Sequence, residues 1–298
     1  MYPRPFHYHR ARSLQQASAT LAELGSDAKV LAGGQSLIPL MKLRFSSPAH
    51  LVDIGFIPSL SYSKRENGSW RIGPMTRHAE VESSDAATAI PIIHDCAAGI
   101  ADVQVRNMGT IGGSLAEADP TGDWAPVLIA LGASVVVVGR SSERTIAISD
   151  LIRDAFTNSL AGDELIKQIV VPVPPAQSGG AYLAFKRCAA VYASASVAAQ
   201  ITMRDKSVCQ QANVVLGAVG MTPVVVTQAG SVLSGKELNE TAIAQAGDAA
   251  AAAADPQDDM RGTADYKRQL VRALTREALQ VAWRRARGER VEVSHHYA

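Results

Sequence analysis

Apolar positions recur along the chain with two periods and divide it into elements. Leu14, Ala17, Leu21 and Leu24 share one face of a helix that Ser13 caps and Gly25 ends. Residues 29–32 read as a strand running into Gly33-Gly34, after which Leu37, Ile38, Leu40 and Met41 form a short apolar turn of helix capped by Ser36. Residues 50–54 read as a buried strand. Asn67-Gly68, between 61–65 and 69–73, signals a hairpin, because a type I′ turn holds both central residues at positive φ. Residues 89–100 read as one helix with Pro91 in its first turn and Ile92, Ile93, Cys96 and Ile100 inward. An apolar helix then runs from Asp123 through Val127, Leu128 and Leu131 to Gly132. Strands follow at 133–139, 145–148 and 165–171.

Pro172-Val173-Pro174-Pro175-Ala176-Gln177-Ser178-Gly179-Gly180 is the clearest linker-like segment, and the domain boundary is placed there. Beyond it, strands at 181–187, 195–203 and 208–217 suit an antiparallel meander. An alanine-rich helix at 241–254 and a longer one at 265–285 complete the chain. In the longer helix the expected inward residues are Tyr266, Leu270, Ala273, Leu274 and Ala278, with Lys267, Arg268, Arg272 and Arg276 elsewhere on a solvated surface. Strands followed by helices predict a small α+β C-terminal domain.

Composition narrows the function. A net charge of +1 argues against a dedicated nucleic-acid binder, and 5% aromatic residues leave little for base stacking. Cys96, Cys188 and Cys209 fit neither a disulfide framework nor zinc spacing, which points to a reduced, cytoplasmic compartment. The first ten residues lack the apolar core of a signal peptide, and no run is long enough to span a membrane. His7, His9, His50, His78, His94, His295 and His296 show no metal-ligand spacing and read as surface or satisfied structural histidines.

The candidate chemistry lies in two glycine stretches, Ala32-Gly33-Gly34-Gln35-Ser36 and Gly109-Thr110-Ile111-Gly112-Gly113-Ser114. Each offers backbone N–H groups without a Cβ in the way and a hydroxyl beside them, as an anion-binding nest requires. An ordinary strand-to-helix turn has the same look. Neither stretch has the GxGxxG order of a Rossmann turn. Residues 230–237 mimic a P-loop but put Glu237 where a magnesium-binding hydroxyl belongs, and read instead as a loop before a helix. Asp123 is open to two readings, a helix-terminal carboxylate or an acceptor for sugar hydroxyls beside the glycines. The chain is equipped to hold a cofactor rather than to supply an acid, base or nucleophile.

The 32–42 and 106–120 segments together closely resemble the FAD-binding medium subunit of the molybdenum hydroxylases, the carbon monoxide dehydrogenase and xanthine dehydrogenase group that includes bacterial N-heterocycle hydroxylases. The resemblance extends to Ala184-Phe185-Lys186-Arg187 and to Arg261-Gly262-Thr263-Ala264-Asp265-Tyr266-Lys267. It implies an α+β chain: a two-subdomain FAD-binding fold of the vanillyl-alcohol-oxidase type at 1–176, divided into 1–56 and 57–176, then the C-terminal domain at 177–298. It implies that Ala32, Gly33, Gly34, Gln35, Ser36 and Leu37 clamp the FAD pyrophosphate from one side. Thr110, Ile111, Gly112, Gly113 and Ser114 would clamp it from the other. Asp123 would hold sugar hydroxyls, the backbone at Leu165 and Ile166 would approach the flavin ring, and Lys186 would stand near its polar edge. Tyr192 would lie by the isoalloxazine, or else be a strand tyrosine. Ser114, Glu117 and Val191 depart from the family's usual Asn or Asp, His, and acidic residue.

By the same resemblance, no catalytic or metal-binding residue is expected in this chain. A large subunit would carry molybdopterin and a small one two [2Fe-2S] clusters, in a dimer of heterotrimers. Electrons would pass through FAD to an external acceptor as an N-heterocycle, purine, aldehyde or CO is hydroxylated. The absence of cysteine clusters here agrees with that division. A non-catalytic scaffold and a free-standing flavin oxidase are the alternatives.

Overall fold

The computed structural model describes residues 2–297. At the N-terminus β1 (His7–Arg10), α1 (Leu14–Leu24), β2 (Ala28–Leu31), α2 (Leu37–Leu43) and β3 (His50–Asp53) form a parallel three-stranded sheet, order β1-β3-β2, with its helices. The Ser13 hydroxyl accepts from the Gln16 amide at 3.1 Å and Gly25 turns at φ 59°, so both ends of α1 are set by the expected residues. Leu14, Ala17 and Leu21 pack with Val52 and Ile54.

β4 (Ser63–Glu66) and β5 (Ser69–Ile72) follow, joined through Asn67 and Gly68 at φ 50° and 74°. Six helices come next: α3 (His78–Glu82), α4 (Asp85–Ala89), α5 (Pro91–Gly99), α6 (Val103–Arg106), α7 (Ile111–Glu117) and α8 (Trp124–Ala130). After them come β6 (Ser134–Val138), β7 (Glu143–Ala147), α9 (Ile148–Leu151), the small ribbon β8 (Ile152–Asp154) and β9 (Thr157–Asn158), and β10 (Leu165–Pro172). An antiparallel sheet of order β4-β5-β10-β6-β7 buries Ile72, Val135, Val137 and Ile169 against Ile92, Ile93 and Trp124. The helix expected at 89–100 is α5, which starts at Pro91 and is separate from α4, ending at Ala89. Ile90, ahead of Pro91, sits at φ −130°, ψ 85°, because the proline ring bars its neighbour from helical backbone.

The C-terminal part is a meander of β11 (Ser178–Lys186), β12 (Ala195–Met203) and β13 (Cys209–Gly217). β14 (Val224–Val225), α10 (Thr227–Leu233), α11 (Glu240–Ala253), α12 (Ala264–Ala286) and β15 (His296–Tyr297) follow. One face of this sheet packs on α10–α12. The other brings Tyr182, Ala184, Ala198 and Val215 into the core around Trp124 and Cys96.

Two expectations need correction here. Residues 230–233 are the second half of α10, not a loop. The buried stripe of α12 is Lys267, Val271, Leu274, Thr275, Ala278, Leu279, Ala282 and Ala286, whereas Tyr266 and Ala273 are exposed. Lys267 belongs inside because its ammonium donates to the Gln257 carbonyl and pairs with Asp259, both at 2.8 Å. A buried charge so satisfied is tolerated, and it shifts the helix phase away from the one that apolar residues alone suggest.

Candidate cofactor site

The two glycine stretches meet. A Cβ on Gly33 would stand 2.3 Å from the Met108 carbonyl oxygen and 2.8 Å from Gly109 Cα, and one on Gly113 would touch Ala32 Cβ at 3.6 Å. Gly34 turns at φ 72°, a conformation that permits the tight change of direction from β2 into α2. Among the described residues the amides of Gly33, Gly34, Gln35 and Ser36 donate to no protein acceptor. Ser36 stands at the N-cap position of α2 but at φ −103°, ψ −53°, and its hydroxyl makes no capping bond, contrary to expectation. Helical backbone at that position turns the side chain away from the amides that an extended N-cap residue would reach. The first loop therefore presents four open donors.

The second loop does not. Ile111 N–H donates to the Thr76 carbonyl at 3.1 Å and Gly112 N–H to that of Pro74 at 2.9 Å. Gly113 N–H donates to Thr110 Oγ1 at 3.2 Å and Ser114 N–H to the Thr110 carbonyl at 3.0 Å. The expectation that both loops offer open amides thus holds for one. Gly112 is small for a different reason: a Cβ would lie 2.5 Å from Pro74 Cβ.

His78 braces this second loop. Its amide donates to the Gly109 carbonyl at 3.0 Å, and its Nδ1 accepts from the Trp124 indole at 3.0 Å. Burial, opposed by Asp123 and reinforced by Arg106, lowers its pKa to about 4, so the ring is neutral and able to accept. Nothing local in the sequence marks His78 as part of the site.

Asp123 starts α8 without capping it. Its Oδ1 accepts from the Tyr182 hydroxyl at 2.6 Å and lies 3.5 Å from Lys186 Nζ. Lys186, 1% exposed, donates to the Gly99 carbonyl at 2.7 Å. Leu165 and Ile166 have buried side chains and pair with Val138 and Val137 just before a register slip in β10, so their backbone is what an outside group would meet. Tyr192 is 49% exposed, with the Arg261 guanidinium 5.7 Å from its ring centroid. Partial burial and the charges of Asp119, Glu117 and Asp123 raise its phenol pKa. Burial, then Asp119, raises that of Glu117 against the pull of Lys29. No group of three or more His, Cys, Asp or Glu residues is arranged for a metal ion among the described residues. None of the helices described is long and apolar enough to cross a membrane.

Behind this cluster a second set of polar contacts ties the C-terminal part to α5. Arg285 grips Asp95 through two bonds of 2.6 and 2.9 Å and also donates to the Gly180 and Val291 carbonyls. The His295 ring lies between the Asp95 carbonyl and the Ala184 amide. Residues so far apart in sequence carry no local signal of being joined.

Comparison with known proteins agrees with this architecture. Residues 4–174 match the family described as FAD binding domain in molybdopterin dehydrogenase, and residues 180–282 match the CO dehydrogenase flavoprotein C-terminal domain. The chain is 39% identical to the carbon monoxide dehydrogenase medium chain of Afipia carboxidovorans, across 96% of this chain and 100% of that one. It is 36% identical to the alpha subunit of the 6-hydroxypseudooxynicotine dehydrogenase complex of Paenarthrobacter nicotinovorans, across 99% and 100%. A solved carbon monoxide dehydrogenase from Hydrogenophaga pseudoflava superposes with a TM-score of 0.93 at 38% identity, covering 96% of this chain and 99% of that one. The chain therefore belongs to the family of FAD-binding subunits of the molybdenum-containing dehydrogenases.

Proposed function

We propose that this chain is the electron-transfer subunit of a molybdenum hydroxylase, holding FAD between the 32–37 and 110–114 loops. The observation that carries the reading is the row of amides without protein acceptors at Gly33–Ser36, in a loop that meets the second one at Gly33. Four donors in a short turn suit a pyrophosphate, whose oxygens accept hydrogen bonds and carry charge. Ser36 and Ser114 add hydroxyls, Thr110 caps α7 and so fixes the second loop, and Leu37 and Ile111 hold the two helix starts in place. Asp123 accepts hydroxyls of the sugar or ribityl chain, the backbone at Leu165 and Ile166 lines the ring, and Tyr192 covers it from the 187–194 segment. Lys186 acts from beneath, through Asp123. Bound FAD supplies the capacity to take up an electron pair and pass it on.

In this reading a large molybdopterin subunit performs the hydroxylation and a small subunit with two [2Fe-2S] clusters delivers the electrons, in a dimer of heterotrimers that serves an external acceptor. The substrate belongs to the large subunit and falls among N-heterocycles, purines, aldehydes and CO. The test is purification of the native complex. Stoichiometric FAD that bleaches on addition of one of these substrates is expected, with no bleaching of the isolated chain. A complex devoid of flavin absorption overturns the proposal. Flavin that no substrate reduces in the complex points to a scaffold, and reduction of the isolated chain points to a free-standing oxidase.

A further inference from the structure

We infer that Tyr182 is a positioning residue for the flavin site, reaching from the C-terminal sheet to fix the orientation of Asp123. Tyr182 and Lys186 are four residues apart on β11 and so project from the same face of the strand. Both converge on one oxygen of Asp123, the phenol at 2.6 Å and the ammonium at 3.5 Å. Among the described residues the second oxygen, Oδ2, has no protein partner. The carboxylate is thus held by one oxygen and presents the other.

The tyrosine is fixed at both ends. Its own amide donates to Asp95 Oδ2 at 3.2 Å, and Asp95 is clamped by Arg285. Its ring is fully buried in the core beside Cys96 and Trp124. Lys186 is likewise tied to the Gly99 carbonyl at 2.7 Å while it stands 3.5 Å from Asp123, the looser of the two contacts on that oxygen. Without the phenol hydroxyl, the carboxylate is free to rotate onto Lys186, since an ammonium attracts a carboxylate more strongly once a competing donor is gone. The oxygen presented to the cofactor side would then be withdrawn. Tyr182 touches no cofactor atom in this arrangement and acts only through Asp123.

The inference rests on the reading that Asp123 takes a hydroxyl of FAD. The experiment measures FAD binding to the full-length apo chain by quenching of flavin fluorescence, for the unmodified chain, Tyr182→Phe, Asp123→Ala and the double variant, with thermal unfolding of each without FAD. If Asp123→Ala does not fold, Asp123→Asn takes its place. Tyr182→Phe is expected to weaken FAD about tenfold, the scale of a hydrogen bond to a charged group. In the Asp123→Ala background the same change should add less than about twofold, because the group through which it acts is gone. Equal losses in both backgrounds assign Tyr182 a merely structural role and overturn the inference, as does undiminished binding by Tyr182→Phe alone. Undiminished binding by Asp123→Ala overturns instead the placement of Asp123 beside FAD, and the inference with it.

Discussion

Gly33 and Ser36 belong to the same loop and answer to different constraints. A side chain at Gly33 meets the Met108–Gly109 backbone, which has no room to yield. Gly33→Val should therefore part the two loops, costing about 2–4 kcal/mol of stability as overpacking together with loss of FAD. Thermal unfolding and flavin absorbance of the purified variant check this, and stoichiometric FAD in a protein of unchanged stability would refute it. Ser36 caps nothing, so Ser36→Ala should leave apo stability within about 0.5 kcal/mol while weakening FAD by about 1 kcal/mol. Thr110 is the opposite case: its hydroxyl caps α7, and Thr110→Ala should cost about 1 kcal/mol of stability even without cofactor. Comparing the two variants in denaturant, with and without FAD, separates ligand contact from helix capping.

At the scale of elements, α7 and α12 show how far local pattern falls short of the chemistry. The Thr110–Ser114 stretch was legible as a glycine loop with open amides, but it is the first turn of α7, and its amides are satisfied by the 74–76 segment and by Thr110 itself. No local pattern marks residues 74–76 as their acceptors. In α12 the ends and length were legible, yet the buried face was not, because a lysine with two distant partners occupies an inward position. The phase has a direct test. Ala273→Glu lies on the exposed side and should change stability by less than about 0.5 kcal/mol, whereas Ala278→Glu buries a charge and should unfold the C-terminal part. Urea denaturation of both variants distinguishes this face from the one apolar spacing suggests, on which the two positions are equivalent.

At the scale of the whole molecule, the buried histidines couple stability to pH. His78 falls from 6.5 to about 4 on folding, so below 6.5 the unfolded chain takes up a proton that the folded chain refuses. Its contribution is therefore complete above 6.5 and is lost progressively as pH falls to about 4, a loss on the order of 3 kcal/mol. His295, also lowered by burial, acts in the same sense. Glu117, raised by burial, acts in the opposite one over the carboxylate range. Unfolding free energy measured across this interval should slope less in His78→Gln than in the unmodified chain. Parallel slopes would show that the ring titrates freely. Because the His78 ring also packs against Gly109, FAD should be released more readily on the acid side of the same interval, which flavin fluorescence follows directly.

The sequence by itself determined the features whose causes are local. Ser13 and Gly25 bound a helix, Asn67-Gly68 turns a hairpin, and the three long runs of β11–β13 read as strands of a meander, because each depends on residues within a few positions of one another. The paired glycine loops were legible for the same reason, and their resemblance to a flavoprotein family followed from short motifs. Only the tertiary structure decided which amides stay open, that Gly33 is small for the opposite loop, and that Asp123 answers to Tyr182 and Lys186 rather than to its own helix. These depend on groups brought together from distant parts of the chain. A hydrogen-bonding group shows its type in the sequence, but whether it is free or satisfied is settled by the neighbour that folding places beside it.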